Sequence, residues 1–180
     1  MGLRSYVMEK ISKEVENAII EAIKLEINGR KFFDHAADVT QHEKGKKMFR
    51  FLADEEVKHL ETFGAMFNKI LGGTDWKQYI PKDVYDEEAP LVTKLKENMR
   101  REEGKGEVEA IRIGMELEEN AIRFFTGAVK ETDDPVAKKI FRDISEEEKF
   151  HFDLLQAQYD SVTKSGIWLG SAEFQMDGKW

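Results

Sequence analysis

Sliding the chain against itself by 92 residues aligns positions 18–67 with 110–159 at 17 identities in 50 without a gap, so the chain is a duplicated unit. AIIEAIKLEINGRKFF (18–33) overlies AIRIGMELEENAIRFF (110–125), and KKMFRFLADEEVKH (46–59) overlies KKIFRDISEEEKFH (138–151). Apolar identities could reflect only a shared helical core. Glu26/Glu118, Asn28/Asn120, Glu56/Glu148 and His59/His151 also coincide, and polar matches of that kind require a further reason.

Each unit reads as two helices. Around Glu26 the apolar residues Ile19, Ala22, Ile23, Phe33, Ala36 and Ala37 fall at the offsets of one helical face. Offsets on the same face, +3 and +4 included, pick out Phe49, Leu52, Ala53, Leu60, Phe63 and Phe67 around Glu56, and Ile111, Gly114, Met115, Ala121, Ile122 and Phe125 around Glu118. Around Glu148 they pick out Phe141, Ile144, Phe152, Leu155 and Tyr159. Four helices therefore each carry one inward glutamate, and His59 and His151 share a face with Glu56 and Glu148 three residues earlier. Glu26 and Glu56 are 30 residues apart about the stretch Thr40-Gln41-His42. A helix rising about 20 Å to that turn and one descending equally bring them to the same level. Glu118 and Glu148 repeat this about Asp133, where Asp133-Asp134-Pro135 supplies an N-cap and a first-turn proline.

The long break, about residues 72–106, opens with Gly72-Gly73 and holds Pro81 and Pro90. Its length fits a crossover along a bundle, with a short helix expected near 90–101. The tail from about 165 to 180 carries Trp168, Phe174 and Trp180 and is expected to dock on the bundle or on a neighbouring chain. The expected architecture is a single all-α domain over 1–180, a four-helix bundle with a long crossover between its second and third long helices. Charged residues at 36% and only three prolines agree with long amphipathic helices.

A formal charge of −8 argues against nucleic acid as a partner. The opening MGLRSYVMEKISKEVE lacks an apolar run of signal length and no stretch suits a membrane span, so the expected location is cytoplasmic. Zero cysteine removes thiolate metal sites and cysteine nucleophiles. His35 and His42, near the first turn, are expected to be solvated. Glu55, Glu116, Glu119 and Glu147 are expected to face away from the core, exposed or salt-bridged.

Four carboxylates on apolar stripes are costly to ionise without compensation, and two divalent cations cancel their charge. Glu26, Glu118, Glu56-x-x-His59 and Glu148-x-x-His151 make up the ligand set of ferritin-like di-iron and di-manganese proteins. Such a set, without thiolate, suits Fe or Mn, with Zn a substitute by availability.

Over residues 10–162 the chain resembles the rubrerythrin branch of the ferritin-like superfamily, in its stand-alone form without a rubredoxin domain. The motifs that carry this are E26INGRKFF, E56VKH59, E118ENAIRFF and E148KFH151. The resemblance implies a bundle holding two iron ions per chain that react with hydrogen peroxide or oxygen, re-reduction by an external electron donor, and a homodimer. It makes Glu26 and Glu118 terminal or bridging ligands, Glu56 and Glu148 the bridges, and His59 and His151 one nitrogen ligand per ion. The alternatives are an iron-handling ferroxidase and a metal-stabilised binding protein. Peroxide-reducing relatives typically carry a further glutamate where this chain has Ala121, with Gly29 in the other repeat. They commonly have an aromatic hydroxyl where Phe33 and Phe125 stand. With no spare carboxylate at either place, both histidines are expected to stay bound in every redox state, and the near two-fold ligand set predicts two similar ions.

Overall fold

The computed structural model describes residues 12–70, 75–101 and 106–170. Four long helices, α1 (Lys13–Val39), α2 (Glu43–Ile70), α5 (Gly106–Glu131) and α6 (Pro135–Ser165), form two hairpins. Between them lie a 3-10 turn (Trp76–Tyr79) and the shorter helices α3 (Lys82–Asp86) and α4 (Pro90–Arg101). The described residues contain no strand. This is the all-α four-helix bundle with a crossover that the repeat implies.

Helix ends follow local chemistry. The Ser12 hydroxyl accepts from the Val15 amide at 3.3 Å and opens α1. Asp134 caps α6 by accepting from Val136 and Ala137 at 3.0 and 2.7 Å, with Pro135 in the first turn. At the far end of α6, Gly166 takes φ 70°, a left-handed conformation that a side chain would disfavour. The turn between α1 and α2 is held by Glu107 of α5, which accepts from the amides of Gln41 and His42.

Within each hairpin the helices pack on one another, α1 packs on α5, and α4 lies across α1 and α5. The buried apolar side chains form two layers. One contains Phe33, Phe49, Leu52, Ile111 and Leu155. The other contains Ile19, Ile23, Phe63, Phe67, Phe125 and Phe141. Phe63 and Phe125 stack at 5.6 Å between centroids. The repeat partners Phe33 and Phe125 thus fall one in each layer, both fully buried. Along α2, α5 and α6 the inward glutamate lies between the buried residues of one layer and those of the other, and on α1 Glu26 lies near the changeover, with Ile27 still in the second layer.

The crossover differs from expectation by having two further elements beside the helix at 90–101. Their short lengths show no apolar period. A distant contact steadies the second: Lys31 Nζ donates to the carbonyls of Val84, Tyr85 and Glu87 at 2.6–2.8 Å around the end of α3. Gly72-Gly73, Phe174 and Trp180 lie outside the described residues. Trp168 does dock: it is 5% exposed, stacks on His42 at 5.4 Å and fills the space left by the missing side chain of Gly45.

His35 departs from the solvated reading. It is half-buried, its Nε2 is enclosed without a hydrogen-bond partner among the described residues, and burial, then the Lys96 ammonium of α4, lower its pKa. The crossover, which local sequence does not place, lies close to this histidine. His42 is exposed, although it carries the Trp168 ring.

Candidate metal centre

All six residues singled out by the repeat meet at mid-bundle, each no more than 2% exposed. Glu26 comes from α1, Glu56 and His59 from α2, Glu118 from α5, and Glu148 and His151 from α6. His59 Nδ1 lies 3.2 Å from Glu26 Oε2, 3.3 Å from Glu148 Oε1 and 4.0 Å from Glu56 Oε2. His151 Nδ1 lies 2.9 Å from Glu148 Oε2 and 3.7 Å from Glu118 Oε1. The imidazole rings face one another at 5.8 Å.

Two donor groups result: Glu26, Glu56, His59 and Glu148, and Glu118, Glu148 and His151, the donor atoms of each lying within 4.8 Å of one another. Glu148 belongs to both, turning one oxygen to each histidine. Glu56 falls in the first alone, leaning against α1 where a Cβ on Gly29 would stand 2.7 Å from its Oε1. Only a glycine leaves the Glu56 carboxylate that place.

A test of whether this cluster suits metal is what happens to its charge without one. Burial, then the negative neighbour Glu26, push the Glu56 carboxyl well above the usual range; burial, then Glu148, do the same to Glu118. Burial alone would push the His59 pKa down, yet its bonds to Glu147, Glu148 and Glu26 outweigh this and hold it up at about 12. Glu148 is raised by burial but pulled to about 2 by His151 and His59. Protons thus occupy the role that cations would fill. Glu26 Oε1 and both oxygens of Glu118 are buried without a hydrogen-bond partner among the described residues, a costly arrangement that a metal ion would relieve. The residues fit a pair of divalent ions.

One participant escaped the sequence reading. Glu147 was expected to face away; its side chain is 56% exposed, but its Oε2 lies 2.8 Å from His59 Nε2. A carboxylate behind a metal-binding imidazole fixes the ring's orientation and raises its basicity. The identity of Glu147 with Glu55 across the repeat was the available signal. Glu55 instead pairs with Lys58, whose repeat partner is Phe150. His151 is consequently flanked by the rings of Phe51 and Phe150, at 6.3 and 6.1 Å, where His59 has a carboxylate. The two histidines therefore have unlike surroundings. Glu116 and Glu119 do face outward, pairing with Lys94 and Arg123 at 2.6 and 2.9 Å.

Among the described residues no helix is long and apolar enough to cross a membrane. The chain is similar to a hypothetical protein from Pyrococcus furiosus of known structure, with 24% identity and a TM-score of 0.63 over 90% of this chain and 97% of that one, a likeness that speaks to the fold. No curated protein matches. The Rubrerythrin family model matches residues 17–159, which take in both hairpins and all six clustered residues. By that match, on a ferritin-like bundle whose buried Glu/His cluster fits iron binding, the chain belongs to the rubrerythrin family.

Proposed function

We propose that the chain is a non-haem di-iron oxidoreductase that reduces hydrogen peroxide or dioxygen, with Glu26, Glu56, His59, Glu118, Glu148 and His151 as its metal ligands. The observation that carries this reading is Glu148, which offers one oxygen to each histidine and so joins two donor groups into one site. A ferrous pair bound there supplies two electrons and Lewis acidity for cleaving an O–O bond. Imidazole and carboxylate donors suit Fe or Mn, and Zn can substitute.

The chain's own residues set the conditions. The four glutamates balance the charge of two divalent ions, while the phenylalanine layers on either side limit water. Glu147 holds His59 in position and, half in solvent, gives protons a path to the ligand layer. With no cysteine in the chain, electrons come from a separate reductant, either a redox protein or a small molecule.

Iron-loaded protein supplied with a reductant should consume peroxide over many turnovers with its iron retained. Stoichiometric release of ferric iron without sustained peroxide loss would establish iron handling instead.

A further inference from the structure

The repeats enclose a half-open cavity of about 180 Å³ that reaches the ligand layer. Its walls come in repeat-related pairs, Leu25 with Leu117, Asn28 with Asn120 and Gly29 with Ala121, closed by Leu91 in the first turn of α4; the buried carboxylates of Glu26, Glu56 and Glu148 also line it. Ala121 rather than Gly29 makes this room, since the space beside Gly29 is taken by the Glu56 carboxylate. Gly29 is fixed by the Glu56 carboxylate, and Ala121, 6% exposed, contributes only a methyl group.

Hydrogen peroxide has two heavy atoms and needs far less space. A cavity of about 150 Å³ accommodates benzene, so this one has room for a group of about four to six carbons. Apolar walls ending on a few polar groups bind a molecule with an apolar body and a polar head.

Resting on the di-iron reading above, we infer that the cavity seats the alkyl group of a small organic hydroperoxide, ROOH, with its O–O group toward Glu56 and Glu148. In the reaction ROOH takes up two electrons and two protons, the O–O bond breaks, and ROH and water leave. The electrons come from two bound ferrous ions, which end ferric and are reduced again by the external donor.

Anaerobic stopped-flow oxidation of the ferrous protein by tert-butyl hydroperoxide, hydrogen peroxide and dioxygen, taken separately, tests this. The wild-type protein should react with tert-butyl hydroperoxide no more than about tenfold slower than with hydrogen peroxide. Ala121→Leu, which fills the cavity, should lower the ratio of the two rates by about tenfold or more, the scale of steric discrimination in an apolar pocket. Leu91→Phe narrows the mouth from α4 without entering the ligand layer and should shift the ratio the same way. Independently of turnover, xenon-pressurised crystals of the Zn-loaded protein should show xenon in the cavity of the wild type and not of Ala121→Leu. An unchanged ratio in both variants, or inertness to tert-butyl hydroperoxide beside brisk reaction with hydrogen peroxide, would overturn the inference. Inertness of the iron-loaded wild type to all three oxidants would overturn the oxidoreductase reading beneath it, whatever xenon reports.

Discussion

His59 Nε2 and Glu147 Oε2 lie 2.8 Å apart, an imidazole buried at mid-bundle joined to a carboxylate that is half in solvent. The corresponding pair in the other repeat, His151 and Glu55, is not joined, because Glu55 is held by Lys58. Two unequal metal positions are therefore expected. Glu147→Ala should weaken one ion by about 10- to 100-fold and leave the other close to its original affinity, the usual size of such an effect. Stepwise titration with Co(II), read by its d–d absorption, would show this. Equal weakening of both ions, or of neither, would contradict the assignment.

Removing Glu148 should be more damaging than removing Glu118. Glu148 lies in both donor groups and Glu118 in one. Metal analysis of Glu148→Ala should find both positions depleted, whereas Glu118→Ala should retain one ion. A Glu148→Ala protein that keeps one ion at full affinity would show that Glu148 does not bridge.

The cluster's protonation gives a pH dependence with a definite sign. In the metal-free protein the raised carboxyls of Glu56 and Glu118 stabilise the fold at low pH, a contribution lost as pH rises beyond the ordinary carboxylate range. His59, held up at about 12, gives stability that is fully present below the ordinary histidine value of 6.5 and declines above it. Glu148, pulled to about 2, acts oppositely, its contribution being lost as pH falls from 4.5 toward 2. Metal-free stability should therefore fall between pH 5 and 8 through these groups. Metal binding should release protons, from the raised carboxyls of Glu56 and Glu118 and from His59. Calorimetry in buffers of different ionisation enthalpy counts them, and the gap in Tm between loaded and metal-free protein should widen with pH. Binding without proton release would contradict this charge arrangement.

Trp168 ties the segment after α6 to the start of α2 through Gly45 and His42. Trp168→Ala should cost about 3 kcal/mol in denaturant unfolding, as for other buried large aromatics, with metal stoichiometry unchanged. A loss of metal would mean that this end of the bundle communicates with the ligand layer.

Both hairpins, their turns, the helix at 90–101 and the convergence of six residues were legible because the duplication presents each feature twice and helical period converts spacing into facing. Three features were not. The helix at Lys82–Asp86 depends on Lys31, more than fifty residues away. The burial of His35 involves a crossover whose path no local pattern records. The link from Glu147 to His59 runs between hairpins and depends on which neighbour competes for the carboxylate: Lys58 takes Glu55, and its counterpart Phe150 leaves Glu147 available.

The paired centre is tested most directly by iron quantification with Mössbauer spectroscopy on protein reconstituted anaerobically and then oxidised. Two ions per chain, magnetically coupled, are expected. One ion per chain, none, or two uncoupled ions would contradict it.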